Sequence, residues 1–470
     1  MRSILLLCLL ILVPVTVQAA DSPAAGHWEG EIELPTMKLQ VMVDLTQENG
    51  AWKGDIDIPM QGAKDLPLEG VTVEGTKVRF AIANVPGAPT FDGTLENGAI
   101  RGTFTQSGAS LPFRLGREAV EVPRKPQEPK PPLPYISEEV TYTNGDIKLA
   151  GTLTIPEGPG PFPAALLITG SGAQDRDEAL LGHKPFLVLS DYLTRNGIAV
   201  LRVDDRGVGG STGSVDESTS ADFAQDALAG VRFLKQHAKI APDRIGLIGH
   251  SEGGVVGPLA ASQSTDVAFV VMLAGTGVPG GEVITLQSQR ISRASGMPEE
   301  NIKREDAIMR QSLELIRTEK DPAVRDPKLK QLAKEAQALQ GPEGQAGGDE
   351  AADAMVKAMT SNWFRFFLDY DPRTALRKVK VPVLVLNGDL DLQVIADQNI
   401  PEIEKALKEA GNPDVTIRRL AGLNHLFQPA KTGGPAEYVT SEITMDPAVL
   451  DLVAKWIRER FAAPKKTATR

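Results

Sequence analysis

Residues 245–254 of this 470-residue chain read Ile-Gly-Leu-Ile-Gly-His-Ser-Glu-Gly-Gly. Ser251 has a glycine two positions before it and another two positions after it, between an apolar run and a segment with helical spacing. This pattern is typical of a tight strand-to-helix turn that presents a nucleophile at the carboxyl edge of a sheet. Side chains at Gly249 and Gly253 would collide with the backbone of such a turn. An ordinary glycine-rich turn remains the alternative for so short a motif taken alone.

The chain around this stretch alternates between apolar strands and helices. Amphipathic segments of helical length separate most of the apolar runs, which occupy residues 164–168, 198–203, 245–248, 267–273, 381–386 and 415–420. Continuous apolar strands that alternate with helices predict a mostly parallel sheet with helices on both faces, here over residues 136–462. The interval 281–370 instead repeats apolar residues at helical spacing among many charges. It predicts a helical cap inserted between two strands.

The first part of the chain has a different pattern. From Gly26 to about Arg117, short runs alternate apolar and polar residues, and pairs such as Asn97-Gly98 between them favour two-residue hairpin turns. We expect a small antiparallel all-β domain over residues 21–118. Six prolines between residues 123 and 134 predict an extended linker over residues 119–135. Residues 463–470 are expected to form a frayed tail.

Charge and the N-terminal segment limit the function classes. The chain has 50 Lys and Arg against 61 Asp and Glu, a net charge of −11, which disfavours a nucleic-acid-binding protein. Arg2 precedes an apolar run, Ile4–Val13, that is too short to span a bilayer and is followed by small residues. We therefore expect residues 1–20 to be a signal peptide and the protein to be secreted or periplasmic, without a membrane span after cleavage. An uncleaved anchor is the alternative. The only cysteine, Cys8, lies in this segment, so the mature chain would have no thiolate nucleophile.

The candidate serine needs a base, because a hydroxyl is a poor nucleophile until its proton is accepted. Of the five histidines, His425 lies directly after the last predicted strand, where a base would face the strand-to-helix turn of Ser251, which we call the elbow. His183 lies in a loop that could reach the same place. His250 adjoins the serine, and its ring is expected to point away from the hydroxyl. His27 and His237 are assigned to the β domain and to a surface helix.

The carboxylate that orients the base should lie in the turn after the preceding strand, which contains Asp389 and Asp391. Asp391 is favoured because it lies farther out on the turn, while Asp389 would brace the loop. Two aspartates are too few alternating oxygen ligands for a calcium loop. We therefore expect no metal, and the chemistry requires no other cofactor.

Acyl transfer also needs backbone donors for the developing oxyanion. The N–H of Glu252, directly after the serine, is one candidate. The other should lie in the loop after the first core strand, residues 169–176, where Ser171 is our choice and Gly172 the alternative.

Taken together, residues from about 136 to 461 resemble the serine-hydrolase branch of the α/β-hydrolase superfamily, with its carboxylesterases, dienelactone-hydrolase-like and serine aminopeptidase-like proteins. The resemblance rests on the elbow at 249–253, the segment Asp-Asp-Arg-Gly-Val-Gly-Gly-Ser at 204–211, the turn at 388–391 and the pair Asn424-His425. It implies the α/β-hydrolase fold with a triad of Ser251, Asp391 and His425. The family's usual His-Gly before the oxyanion loop is replaced here by Thr169-Gly170, which leaves the second oxyanion donor open.

We therefore expect a serine hydrolase that cleaves a small-molecule carboxylic ester through an acyl-enzyme intermediate. The main alternative is an aminopeptidase or amidase of the same fold, which needs an anionic site for a substrate amine. The cap acids Glu299, Glu300 and Glu314 could supply that site or form a solvated helix face. An acyl-CoA thioesterase fits less well, because an exported enzyme would not meet that cofactor. A non-catalytic binding protein on the same scaffold is a further alternative, which a complete Ser-Asp-His set argues against.

Four aromatic residues of the predicted cap leave one further question open. Trp363, Phe364, Phe366 and Phe367 either form the core of the cap or line a pocket for an acyl group.

Overall fold

The computed structural model describes residues 22–34, 38–48, 50–59, 63–83, 85, 89–106, 109–119, 124–340 and 348–461. The predicted signal peptide at 1–20, the predicted tail at 463–470 and part of the predicted linker lie outside these residues. Within the described ranges, no helix is both long enough and apolar enough to cross a membrane.

The N-terminal region is a closed antiparallel barrel of eight strands, β1 to β8, in which each strand pairs with the next and β1 pairs with β8. The strands are Gly26–Glu33, Lys38–Glu48, Ala51–Ile58, Ala63–Glu74, Lys77–Ile82, Thr90–Glu96, Ala99–Gln106 and Ala109–Gly116. Asn97 and Gly98 adopt φ values of 50° and 75° between β6 and β7, as the hairpin prediction requires. The predicted antiparallel all-β region is thus confirmed.

A second sheet of eight strands follows, with the order β16-β15-β14-β13-β11-β12-β10-β9. Its strands, β9 to β16, are Tyr135–Asn144, Ile147–Pro156, Phe162–Ile168, Ala199–Val203, Ile240–His250, Phe269–Leu273, Val383–Gly388 and Val415–Leu420. The strands from β11 onward are parallel, as predicted. The antiparallel pair β9 and β10 at one edge was not predicted. Alternate residues of β9 are exposed, so this strand lacks a continuous apolar run.

Helices cover both faces of this sheet. Those outside the cap are α1 (Pro185–Arg195), α2 (Ser220–Lys235), α3 (Gly253–Ala261), α10 (Ala396–Glu409), α11 (Ala436–Thr440) and α12 (Pro447–Phe461). Alternate residues of β11 enter two different apolar clusters: Leu166 packs with α2, α3 and α10, and Leu167 packs with α1 and α12. The predicted fold class, a mostly parallel sheet between two helical layers, is therefore confirmed.

The segment between β14 and β15 consists of helices. They are α4 (Gly280–Ala294), α5 (Glu299–Thr318), α6 (Pro322–Leu339), α7 (Gly348–Met359), α8 (Asn362–Asp369) and α9 (Arg373–Leu376). α5 to α8 share a small apolar core of their own, made of Leu313, Ile316, Leu329, Val356 and Leu368, whereas Ala375 and Leu376 of α9 pack into the core of the sheet. Because β13, β14, β15 and β16 are parallel, the loops that follow them all leave the sheet at the same edge, next to this cap.

Candidate active site

The site begins at the elbow between β13 and α3. Ser251 has a φ of 54°, a left-handed conformation that a residue with a side chain adopts only under constraint. A Cβ atom at Gly249 would collide with the carbonyl oxygen of Gly253, and a Cβ atom at Gly253 would collide with that of Ile168. The Ser251 N–H donates to the carbonyl oxygen of Leu273 at 2.8 Å. Contacts with the strands on both sides therefore fix the turn.

The turns after β15 and β16 meet at the same edge. His425 Nδ1 lies 2.8 Å from Asp391 Oδ2, and both residues are at least 96% buried. Asp391 Oδ1 accepts the N–H groups of Gln393 and Val394 at 2.8 Å each, while Oδ2 accepts the amide of Asn387 at 3.1 Å. The carboxylate is thus fully hydrogen-bonded, and the histidine ring is held by it in one orientation.

Asp389 lies in the same turn but has a different contact. Its Oδ1 accepts the Gly422 N–H at 2.6 Å, so this side chain braces the turns after β15 and β16 against each other. The geometry therefore favours Asp391 over Asp389 as the partner of His425.

Ser251 and His425 line one cavity of about 370 Å³. Within the described residues, the contact with Asp391 is the one hydrogen bond that the His425 ring makes, so its Nε2 edge is available. The structure forms no hydrogen bond between the Ser251 hydroxyl and His425 in the described ranges; in enzymes without substrate such bonds often tighten only on binding. The arrangement can support proton transfer from a hydroxyl to an imidazole that a buried carboxylate orients.

Backbone donors reach the same cavity. Glu252 and Ser171 both line it, and in the described part of the chain neither of their N–H groups donates to another protein atom. The N–H of Gly170 is already bound, at 2.9 Å, by Glu178 Oε1. Gly172 lines neighbouring cavities and not this one. Ser171 therefore fits the second donor position better than Gly172.

A buried pair that the sequence analysis missed connects three loops of the site. Glu178 Oε1 lies 2.9 Å from His250 Nδ1, and His250 Nε2 lies 3.0 Å from the carbonyl oxygen of His425. Carboxylates and carbonyls accept hydrogen bonds, so these contacts are satisfied together when both nitrogens of His250 carry a proton. Burial lowers the pKa of His250, but the charge and hydrogen bond of Glu178 outweigh it and raise that pKa. Through Gly170, Glu178 also holds the oxyanion loop.

No local signal distinguishes Glu178 from the other acids of its loop, because its partner His250 lies 72 positions away along the chain. His183, by contrast, was a candidate for the site in the sequence, but its hydrogen-bond partners lie outside the site. It is completely buried, with Nδ1 at 2.9 Å from Thr444 Oγ1 and Nε2 at 2.9 Å from the carbonyl oxygen of Tyr438. His183 therefore stabilises a loop and does not line the cavity of Ser251.

Two more acids hold the surroundings of the elbow. Asp205 accepts the Thr169 hydroxyl at 2.7 Å and the Gln174 N–H at 2.9 Å, so it fixes both ends of the oxyanion loop. Burial raises the pKa of Asp205 from 3.8 to about 8. The Glu252 side chain accepts hydrogen bonds from Trp363 Nε1 at 2.8 Å and from Ser220 Oγ at 2.6 Å. Burial raises the pKa of Glu252 as well, and its bond to Trp363 joins the elbow to the cap.

The cap aromatics are partly cavity wall. Trp363, Phe364 and Phe367 line the cavity of Ser251, and the Trp363 and Phe367 rings stack at 5.3 Å. Phe366 instead stacks on Tyr370 at 5.0 Å. Of the described residues, one group of carboxylates lies close enough to share a cation, Asp55, Asp57 and Asp65 of the barrel, and none of these lines the cavity of Ser251.

From the raised pKa of Asp205 we predict how the free energy of unfolding depends on pH. Between about pH 4 and 8 the folded protein keeps a proton on Asp205 that the unfolded chain has lost, so the free energy of unfolding falls as the pH rises. One such group contributes a slope of up to about 1.4 kcal/mol per pH unit. Asp205→Asn keeps the size of the side chain and removes this titration. We expect urea unfolding of this variant to show a flatter pH dependence than the wild type.

The matched control is Asp146→Asn, an exposed aspartate in the turn between β9 and β10. It should keep the wild-type slope. Equal slopes for Asp205→Asn and wild type would contradict the assignment of a protonated Asp205 to the folded protein.

Comparison with known proteins supports the same architecture. A family model described as the alpha/beta hydrolase family matches residues 165–432. Esterase EstD of Thermotoga maritima is 29% identical over 335 residues, which cover 69% of this chain and 70% of that protein. Mitochondrial acyl-coenzyme A thioesterase 2 of Mus musculus is 26% identical over 150 residues, 32% of this chain and 30% of that protein.

Among solved structures, an esterase of Pyrococcus furiosus is similar with a TM-score of 0.45 and 17% identity, over 74% of this chain and 99% of that one. The family match covers more than half of the chain and includes the elbow at Ser251 and the turns of Asp391 and His425. The protein therefore belongs to the alpha/beta hydrolase family.

Proposed function

We propose that this protein is a serine esterase that hydrolyses a carboxylic ester through an acyl-enzyme intermediate. The observation that carries the proposal is the buried His425–Asp391 pair, whose histidine lines one cavity with a serine held in a left-handed elbow. A binding protein has no need of a hydrogen-bonded base, an orienting carboxylate and unpaired backbone donors around one hydroxyl. The similarity to an esterase of Thermotoga maritima supports the same reaction class.

The proposed reaction has two steps. The Ser251 oxygen attacks the ester carbonyl carbon while His425 Nε2 accepts the hydroxyl proton and Asp391 stabilises the imidazolium. The N–H groups of Glu252 and Ser171 donate to the oxyanion of the tetrahedral intermediate. The carbon–oxygen bond of the ester then breaks, and His425 gives its proton to the departing alcohol. Water attacks the acyl-enzyme in the same way and releases the carboxylic acid and free Ser251.

The aminopeptidase or amidase alternative has one observation in its favour. Among the described residues, the buried Glu178 Oε2 has no hydrogen-bond partner, and Glu178 lines the cavity, so this oxygen could accept a hydrogen bond from a substrate amine. The acids that the sequence suggested for this role, Glu299, Glu300 and Glu314, are exposed and do not line the cavity. Ester hydrolysis therefore remains the better supported function.

Export is part of the proposal, based on the composition of residues 1–20. The expected result is a mature N terminus directly after Ala19 or Ala20, measured by mass spectrometry of the protein purified from its native host. A chain that still starts at residue 1 or 2 would contradict cleavage.

The reaction is tested by replacing the nucleophile. Ser251→Ala should lower kcat/KM for p-nitrophenyl acetate by at least about 10³-fold, because the acyl-enzyme cannot form. The control is Ser262→Ala at the end of α3, whose hydroxyl donates to the Leu259 carbonyl, and it should keep wild-type kinetics. Unchanged hydrolysis by Ser251→Ala would contradict the proposal. Faster turnover of aminoacyl p-nitroanilides than of p-nitrophenyl esters by the wild type would favour the amidase alternative.

Glu178 is tested as a positioning residue. Glu178→Ala should lower kcat for a p-nitrophenyl ester about a hundredfold with little change in KM, because the oxyanion loop and the His425 loop lose a shared anchor. Glu178→Gln still has an acceptor for the Gly170 N–H and should recover part of kcat. The control is Glu217→Ala, an exposed acid. Wild-type kcat in Glu178→Ala, or no recovery in Glu178→Gln, would contradict this role.

A further inference from the structure

The cap contains a second and larger cavity, which we name the cap chamber. Its volume is about 1000 Å³, and its walls come from α5, α6, α7 and α8. Most of the wall is apolar, with Ile308, Met309, Leu329, Leu332, Met359 and Phe364 among its residues. The volume is at the upper end of the range of small-molecule sites in proteins, which are usually lined in this way.

Polar groups in the chamber wall are largely engaged by the protein. Glu305 accepts a hydrogen bond from the Ser292 hydroxyl at 2.6 Å, and the Ser312 hydroxyl donates to the Ile308 carbonyl at 2.9 Å. Lys357 and Asp216 are exposed. As far as the described residues show, the interior therefore offers apolar contact to a ligand and few free hydrogen-bonding groups.

The cap chamber adjoins the cavity of Ser251. Ile284, Trp363 and Phe364 line both, so these three side chains form the boundary between them. On the chamber side the boundary continues into Gly172 and Ala173, the residues that follow Ser171 in the oxyanion loop. The cap chamber therefore lies next to the oxyanion loop, on the side of Gly172 and Ala173.

The positions of the loops decide which part of an ester lies on that side. His425 gives its proton to the departing alcohol, so the alcohol must leave on the side of His425. Gln393, Val394 and Leu426, which flank Asp391 and His425 in the sequence, line the cavity of Ser251 and do not line the cap chamber. The alcohol side and the chamber side are thus different, and the chamber is on the acyl side.

We propose that the preferred substrates are esters of long-chain aliphatic carboxylic acids, whose hydrocarbon chain occupies the cap chamber during formation and hydrolysis of the acyl-enzyme. This inference rests on the proposed esterase function and adds the substrate class. The hydrocarbon chain needs no polar partner, which agrees with the engaged polar groups of the wall. The alcohol part faces the loops of Asp391 and His425, and its size is not selected by the chamber.

The first test compares two series of esters on the wild-type protein. In p-nitrophenyl esters from acetate through butyrate and octanoate to dodecanoate, kcat/KM should rise about threefold or more for each added methylene until the chain is buried. In acetate esters of progressively longer alcohols, it should stay nearly constant. The proposal would be overturned if kcat/KM fell for acyl chains longer than butyrate, or if kcat/KM rose with the length of the alcohol and not with that of the acyl chain. Absence of Ser251-dependent hydrolysis of acetate would instead refute the esterase function itself.

The second test fills the chamber. Ala336 on α6 lines it, and Ala336→Phe should lower the ratio of kcat/KM for dodecanoate to that for acetate about tenfold. Ala338→Phe is the matched control, since this alanine lies on the same helix but lines a surface pocket with Arg304 and Glu335. It should leave the ratio at the wild-type value. An unchanged ratio in Ala336→Phe would contradict the placement of the acyl chain, and the wild-type series tests the proposal independently of how this variant folds.

Discussion

The close contact of backbones at the elbow is the constraint on which the site depends. Gly253 packs directly on the carbonyl group of Ile168, and Gly249 packs on that of Gly253, which no larger residue would allow. The N–H of Ser251 is held by Leu273 on the strand at the other side. A left-handed serine costs about 1–2 kcal/mol of conformational energy, and these contacts offset it. These contacts place the serine at one cavity, together with the loop after β11 and the turns after β15 and β16.

Several acidic side chains around the elbow fix the loops of the site. Glu178 holds Gly170 and His250, Asp205 holds both ends of the oxyanion loop, and Asp391 holds His425. Glu252 joins the elbow to the cap through Trp363. Burial of a carboxylate costs free energy unless the group is hydrogen-bonded. The loops that donate these hydrogen bonds are therefore held in the conformations seen here. Burial raises the pKa of Asp205, and the nearby charges of Glu252 and Glu178 raise it further.

The sequence predicted those parts of the site that follow directly from strand ends. Ser251 and Asp391 come after the buried strands β13 and β15, and His425 comes after the partly exposed edge strand β16. Parallel strands bring such positions to one edge. The edge strand β9 was missed because a strand with one exposed face has no continuous apolar run. Glu178 and His250 were missed as a pair because their contact joins residues 72 positions apart, and nothing local marks it. The cap chamber also depends on how α5 to α8 pack together, which helical spacing alone does not specify.

The central claim is that Ser251 is an activated nucleophile in the folded protein, and reaction with a fluorophosphonate followed by peptide mass spectrometry tests it most directly. The account predicts one adduct, on the peptide that contains Ser251, and much slower labelling when His425 is replaced by alanine. Folded protein that remains unlabelled, or that carries the adduct on another serine, would contradict it.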